Sequence, residues 1–141
     1  MIREVLVASV IVMLCLLIHV TVLLTMAELL IVRRNYFEQT KAKIRYSVVL
    51  IFLFTTILLL HVLESSIWAG FYYLRGLFSD FETSLYFSLT SYVTIGYGDV
   101  LLPHHWRLLG VIEGMTGVLL CGISTAFMFA VINGMFQMRR S

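Results

Sequence analysis

Charge is what this sequence has least of. Of its 141 residues only 13% are Asp, Glu, Lys or Arg, against 60% hydrophobic, and the mean hydropathy is +0.96. Such a composition cannot keep a surface wet, so a soluble globular protein is excluded and the bilayer is the solvent. The formal net charge of +2 is too small to argue for nucleic acid; what matters is where the basic residues lie. Cysteine is nearly as scarce. Cys15 and Cys121 both fall inside apolar segments and read as small buried side chains rather than as a bridge or redox switch. No Cys/His spacing resembles a metal site, and no cofactor is expected. Neither of the first two apolar runs carries the regular arginine series of a voltage sensor. No soluble sensor domain is expected after residue 135.

Three long apolar runs are present, over 5–32, 46–74 and 106–135. At about 1.5 Å per residue each covers a hydrocarbon core of ~30 Å. A signal peptide competes for the first run, because Arg3 precedes it and Thr25-Met26-Ala27 passes loosely for a cleavage site; the run is longer than a signal core. Between the first two runs Arg33, Arg34, Lys41, Lys43 and Arg45 face one acid, Glu38. The positive-inside tendency makes this segment cytoplasmic, with anionic lipid as a second use. The N-terminus is then outside, the second helix runs outward, and the third returns to a cytoplasmic C-terminus at Arg139-Arg140.

Between the second and third runs, Ser79 or Asp80 is placed to cap a short helix over 81–92. Phe81, Leu85, Leu89 and Tyr92 recur along it at helical spacing, with Ser84, Ser88, Thr90 and Ser91 on polar faces. Its C-terminal dipole end favours a cation. There follows Thr94-Ile95-Gly96-Tyr97-Gly98-Asp99. Glycines at alternate positions free the backbone from negative φ, so successive carbonyls can turn to one line. One chain offers a single column of oxygens; several copies around an axis would make stacked cages able to replace a cation's water shell.

At these residues the chain resembles the tetrameric potassium channels of the pore-loop family, whose filter reads T-V-G-Y-G, commonly followed by Asp. Ile95 replaces the Val, while Tyr97 and Gly98 match the potassium-selective form. The resemblance runs from 46 to about 135, leaving residues 1–45 as an additional N-terminal helix and basic loop. It implies an outer helix 46–74, a pore helix 81–92, a filter 94–99 and an inner helix 106–135. K⁺ would then be held by Thr94, Ile95, Gly96 and Tyr97, with Gly98 completing the filter. The family uses Asp99 to tie the filter to its pore helix, often through a Glu where this chain has Thr90, so Asp99 lacks its familiar partner here. Gly122, before Ile123-Ser124-Thr125, resembles the hinge glycine of the inner helix. Tyr86, Phe87 and Tyr97 are candidates for an aromatic collar behind the filter, or for ordinary interfacial aromatics.

An ionisable group at mid-membrane costs roughly 2.5–3.5 kcal/mol even on lenient scales. His19, Glu28, His61, Glu64 and Glu113 all lie in apolar runs. His61 and Glu64 share a helix face and can pair. Glu64 or Glu113 is a candidate to replace the missing pore-helix carboxylate, bonding Thr90, Ser91 or Tyr92 from behind; the alternative is a protonated acid packed against backbone. His61, His104 and His105 are candidates for acid sensing, and His19 for a helix-to-helix hydrogen bond. Glu28 is expected to snorkel or pair with Arg33 or Arg34. Gly110-x-x-x-Gly114 permits close helix contact.

The expectation is an all-α membrane protein with three transmembrane helices, a re-entrant pore helix and a filter loop. It assembles with itself as a homotetramer in the plasma (inner) membrane, among lipid and without nucleic acid. It conducts K⁺ passively and is not an enzyme. Its rivals are a weakly selective cation channel, a non-conducting membrane adaptor and, weakest, an intramembrane enzyme using His61 and Glu64.

Overall fold

The computed structural model describes residues 2–32 and 42–140. The basic residues Arg33, Arg34 and Lys41 lie outside them, and the side chains of Arg3, Lys43, Arg45, Arg139 and Arg140 are likewise outside the description. The protein is an all-α membrane protein. Helix α1 runs Ile2–Val32, α2 Ala42–Leu74, α3 Phe81–Tyr92 and α4 Arg107–Arg140, the last entered through a 3₁₀ turn at His104–Trp106. Three segments, Glu4–Val32, Tyr46–Leu74 and His104–Gln137, are long and apolar enough to cross a membrane.

Helices α1 and α2 are apolar nearly all round, as expected where one face meets protein and the rest meets lipid. Leu6, Val10, Met13 and Leu17 are exposed on α1, and Ile51, Phe54, Leu58 and Leu63 on α2. The buried residues form two clusters. The first joins Ala8, Cys15, Trp68, Tyr72, Phe87 and Leu109 around α3, and the second joins Leu23, Met26, Leu53 and Ile57 toward the far end of the helices.

Two devices place α3. Helix α2 ends in a Schellman turn: Gly76 sits at φ 64, its N–H donates to Tyr73 O at 2.9 Å, and Leu77 N–H donates to Tyr72 O at 3.0 Å. That left-handed position is open to glycine at little cost. Asp80 then caps α3 from extended backbone at φ −146, accepting Thr83 N–H at 2.7 Å and the hydroxyls of Thr83 and Ser79, each at 2.8 Å. The Thr83 N–H, followed by those hydroxyls, holds the Asp80 carboxyl below the usual carboxylate range.

The C-terminal half of α3 lies on a face of α4 cleared by small residues. A methyl group at Gly110 would come within 3.1 Å of the Phe87 ring, one at Gly114 within 3.0 Å of Ser91 O, and one at Gly117 within 2.9 Å of the Tyr92 carbonyl carbon. Gly122 differs: it lies inside the same unbroken helix with nothing within 4 Å.

Candidate functional site

The front of the site is the stretch after α3. Four amides turn back onto α3: Val93 N–H to Leu89 O at 3.1 Å, Thr94 to Ser91 O at 2.9 Å, and both Ile95 and Gly96 to Thr90 O at 2.9 and 3.0 Å. They satisfy carbonyls that the end of a helix otherwise leaves bare. In a planar trans peptide the C=O points opposite to its N–H, so the carbonyls of Val93, Thr94 and Ile95 point away from α3, toward the open side. The backbone then alternates. Thr94, Gly96 and Gly98 take φ of 59, 53 and 78, and among the described residues Thr94 is the only non-glycine at positive φ. For a β-branched residue that conformation costs on the order of 1–3 kcal/mol. It is held there by the Ser91 bond.

Residues 93–99 are all exposed in a single chain, Tyr97 to 69%. Beside them an apolar groove of about 680 Å³ runs down α4, lined by Thr94, Gly96, Leu101, Gly114, Met115 and Val118 among others. Asp99 is partnered by Tyr86, whose hydroxyl donates to Oδ2 at 2.7 Å; that bond pushes the Tyr86 phenol up from its ordinary value. Thr90 turns its hydroxyl onto its own helix, 3.0 Å from Tyr86 O and 3.0 Å from Phe87 O, and so does not stand in for a carboxylate. The three collar aromatics separate. Phe87 is buried against Tyr72 and Phe78, with ring centroids 5.5 and 5.2 Å apart, whereas Tyr86 and Tyr97 are exposed. His104 and His105 pack edge to face on each other, exposed, at 5.9 Å.

Behind α3 lie two buried carboxylates. Glu113 on α4 accepts the Tyr72 hydroxyl at 2.8 Å, and Ser88 Oγ lies between Glu113 Oε1 and Ser65 O, 2.6 Å from the latter, with one hydrogen to serve the two contacts. Glu64 on α2 lies 2.9 Å from His19 Nδ1, 2.6 Å from the donating Tyr92 hydroxyl and 3.3 Å from His61 Nδ1. On the far side of both imidazoles sits Ser124 of α4, its Oγ 3.0 Å from His19 Nε2 and 3.2 Å from His61 Nε2. Glu64 therefore reaches α3 at Tyr92, and Glu113 reaches it one turn earlier, at Ser88. His19 makes the helix-to-helix bond, joining α1 to both α2 and α4. Glu28 is exposed at the other end of α1.

Tyr72, Ser88 and Ser124 carry these networks; Ser88 was expected only on a polar face of α3, and Tyr72 and Ser124 were given no role. One signal for the face of α3 was available: Ser84, Ser88 and Tyr92 are spaced by four residues, and all three are buried. A family model described as an ion channel matches residues 48–133. Comparison with curated proteins and with solved structures returned no match.

Proposed function

This chain belongs to the ion channel family, and on that premise we propose that four copies assemble around residues 94–98 into a potassium-selective pore. The observation that carries the reading is the direction of the peptide groups. The amides of Thr94, Ile95 and Gly96 are spent on α3, so their partner carbonyls are free to face an axis. One column of oxygens cannot enclose an ion; four columns build the rings that replace its hydration shell.

In this reading Thr94, Ile95, Gly96 and Tyr97 hold successive K⁺ ions, and Gly98 keeps the outer end in the required backbone form. The Tyr86–Asp99 bond braces the mouth, and Glu64 and Glu113 brace the pore helix from behind. K⁺ passes down its electrochemical gradient without catalysis, and α4 bends at Gly122 when the inner end opens. The basic segment 33–45 lies in the cytoplasm of a plasma (inner) membrane protein, with the N-terminus outside and the C-terminus inside. The exposed apolar groove beside the filter is where a neighbouring copy seats, and lipid covers the remaining apolar faces.

The test is ⁸⁶Rb⁺ uptake into liposomes loaded with K⁺, with competing Na⁺ outside, alongside the mass of the purified assembly. Uptake that K⁺ blocks and Na⁺ does not, from a particle of four chains, supports the proposal. Uptake blocked equally by Na⁺ points to the weakly selective channel, and a monomer without flux points to the adaptor.

A further inference from the structure

The junction of His19, His61 and Glu64 contains more contacts than hydrogens. Five short contacts meet there: His19 Nδ1 to Glu64, Tyr92 Oη to Glu64, His61 Nδ1 to Tyr92 Oη at 3.0 Å, and Ser124 Oγ to each of the two Nε2 atoms. With an ionised carboxylate and neutral imidazoles, the hydrogens available for these five are one on each histidine, one on Tyr92 and one on Ser124, four in all. The Cys121 thiol, 3.8 Å from His61 Nε2, adds one hydrogen together with one further contact. One contact is left without a hydrogen, in a place where His19 and Glu64 are fully buried. An added proton or a cation closes the count.

We propose that this junction is a binding site for a divalent transition metal of the zinc class, held by His19 Nδ1, His61 Nδ1 and the Glu64 carboxylate, with the Tyr92 phenol oxygen as fourth ligand. The ligand atoms of the two histidines and Glu64 all lie within 4.8 Å of one another. The separations of 2.9 Å from His19 Nδ1 to Glu64 Oε1, 3.3 Å from His61 Nδ1 to Glu64 Oε2 and 3.0 Å from His61 Nδ1 to Tyr92 Oη lie near those of donors around a tetrahedral Zn²⁺. There, bonds of about 2.0–2.1 Å place the ligands roughly 3.3 Å apart. The 2.6 Å from Tyr92 Oη to Glu64 Oε2 is a hydrogen-bond distance that has to widen when metal replaces the phenol proton.

The second shell is already in position. With metal on both Nδ1 atoms, each Nε2 carries its hydrogen, and the two lone pairs of Ser124 Oγ accept both, which fixes tautomer and ring orientation. Charge closes as well: Glu64 and a deprotonated Tyr92 neutralise the dication. Binding releases to solvent the phenol proton and the one proton that otherwise completes the hydrogen count. His61, with 15% of its side chain accessible beside Cys121 Sγ at 3.8 Å, is the open edge of the site. The metal would pin α1 to α2 and to Tyr92, the last residue of α3. Sequence spacing hides the site because its ligands come from three elements.

The experiment loads the full-length protein, stripped with chelator in detergent, with Zn²⁺ and then Co²⁺. The expected result is one Zn²⁺ retained per chain, an intense tetrahedral Co²⁺ absorption band, and affinity reduced more than tenfold by His19→Gln and by Glu64→Gln. Glu113→Gln, in the neighbouring network, leaves binding unchanged. Should the Glu64 variant fail to fold, the wild-type Co²⁺ spectrum and the His19 variant decide. No retained Zn²⁺, a weak octahedral Co²⁺ spectrum, or binding that survives His19→Gln through surface groups such as His104 and His105 would overturn the proposal and leave the junction holding a proton instead.

Discussion

The two sides of α3 solve opposite problems. Behind it, Glu64 and Glu113 are enclosed by partners from α1, α2, α3 and α4, all of them from within one chain. In front, residues 93–99 stand exposed with three carbonyls turned away from α3. The back draws its partners from its own chain, and in the proposed pore the front is completed by neighbouring copies and the ion. A buried polar network is stabilising only when every member is satisfied, whereas a surface meant for a dehydrated ion has to withhold its oxygens from internal partners.

The comparison breaks most decisively at Gly96. A Cβ there meets nothing within 4 Å, so Gly96→Ala acts through φ 53 alone. The left-handed form costs other residues about 1–2 kcal/mol, felt once in every copy. Rb⁺ uptake is expected to fall at least tenfold while helix content stays unchanged; undiminished, K⁺-selective uptake would remove the front from the conduction path.

Next is Gly117→Ala, which drives a methyl group against the Tyr92 backbone. Overpacking of this kind costs about 1–3 kcal/mol, and thermal unfolding in detergent should show a lowered midpoint. Tyr72→Phe takes one donor from Glu113 and is expected to destabilise by about 1–2 kcal/mol in the same assay; no change would mean that the back does not need all its partners. Gly122→Ala should have the opposite sign. With open space around it, alanine stabilises the helix by up to about 1 kcal/mol, and in the proposed pore it reduces opening.

The smallest effect is at Asp80, whose carboxyl lies below its usual range. Its contribution to α3 is present above the ordinary carboxylate pKa of about 3.9 and is lost as pH falls through the lowered value. Asp80→Asn retains an acceptor for Thr83 N–H, and the acid arm of the stability profile should flatten.

Much of this architecture was legible. Apolar runs of membrane length marked α1, α2 and α4, and Asp80 with the spacing of Phe81, Leu85, Leu89 and Tyr92 marked α3. The alternation of glycines after Thr94 signalled the backbone form of the front. The back was legible only as an inventory of costly residues. His19 and Glu64 are 45 residues apart and Ser124 and His19 are 105 apart, and a helix that is apolar all round does not declare which face turns inward. Tyr86 was read as packing, yet it gives Asp99 a partner other than the pore-helix carboxylate whose absence was noted. The position of Thr90 invited a bracing role, but a threonine hydroxyl in mid-helix readily returns to carbonyls three or four residues back.

The tethering of the front is uneven along its length. The amides fastened to α3 stop at Gly96, and among the described residues none from Tyr97 to Asp99 is fastened in that way. A single chain thus has its inner rungs already set, while the outer rungs carry no such amide bond. In the proposed pore, neighbouring copies would have only the upper half left to tighten, and that rim would be where a loosening ring gives first.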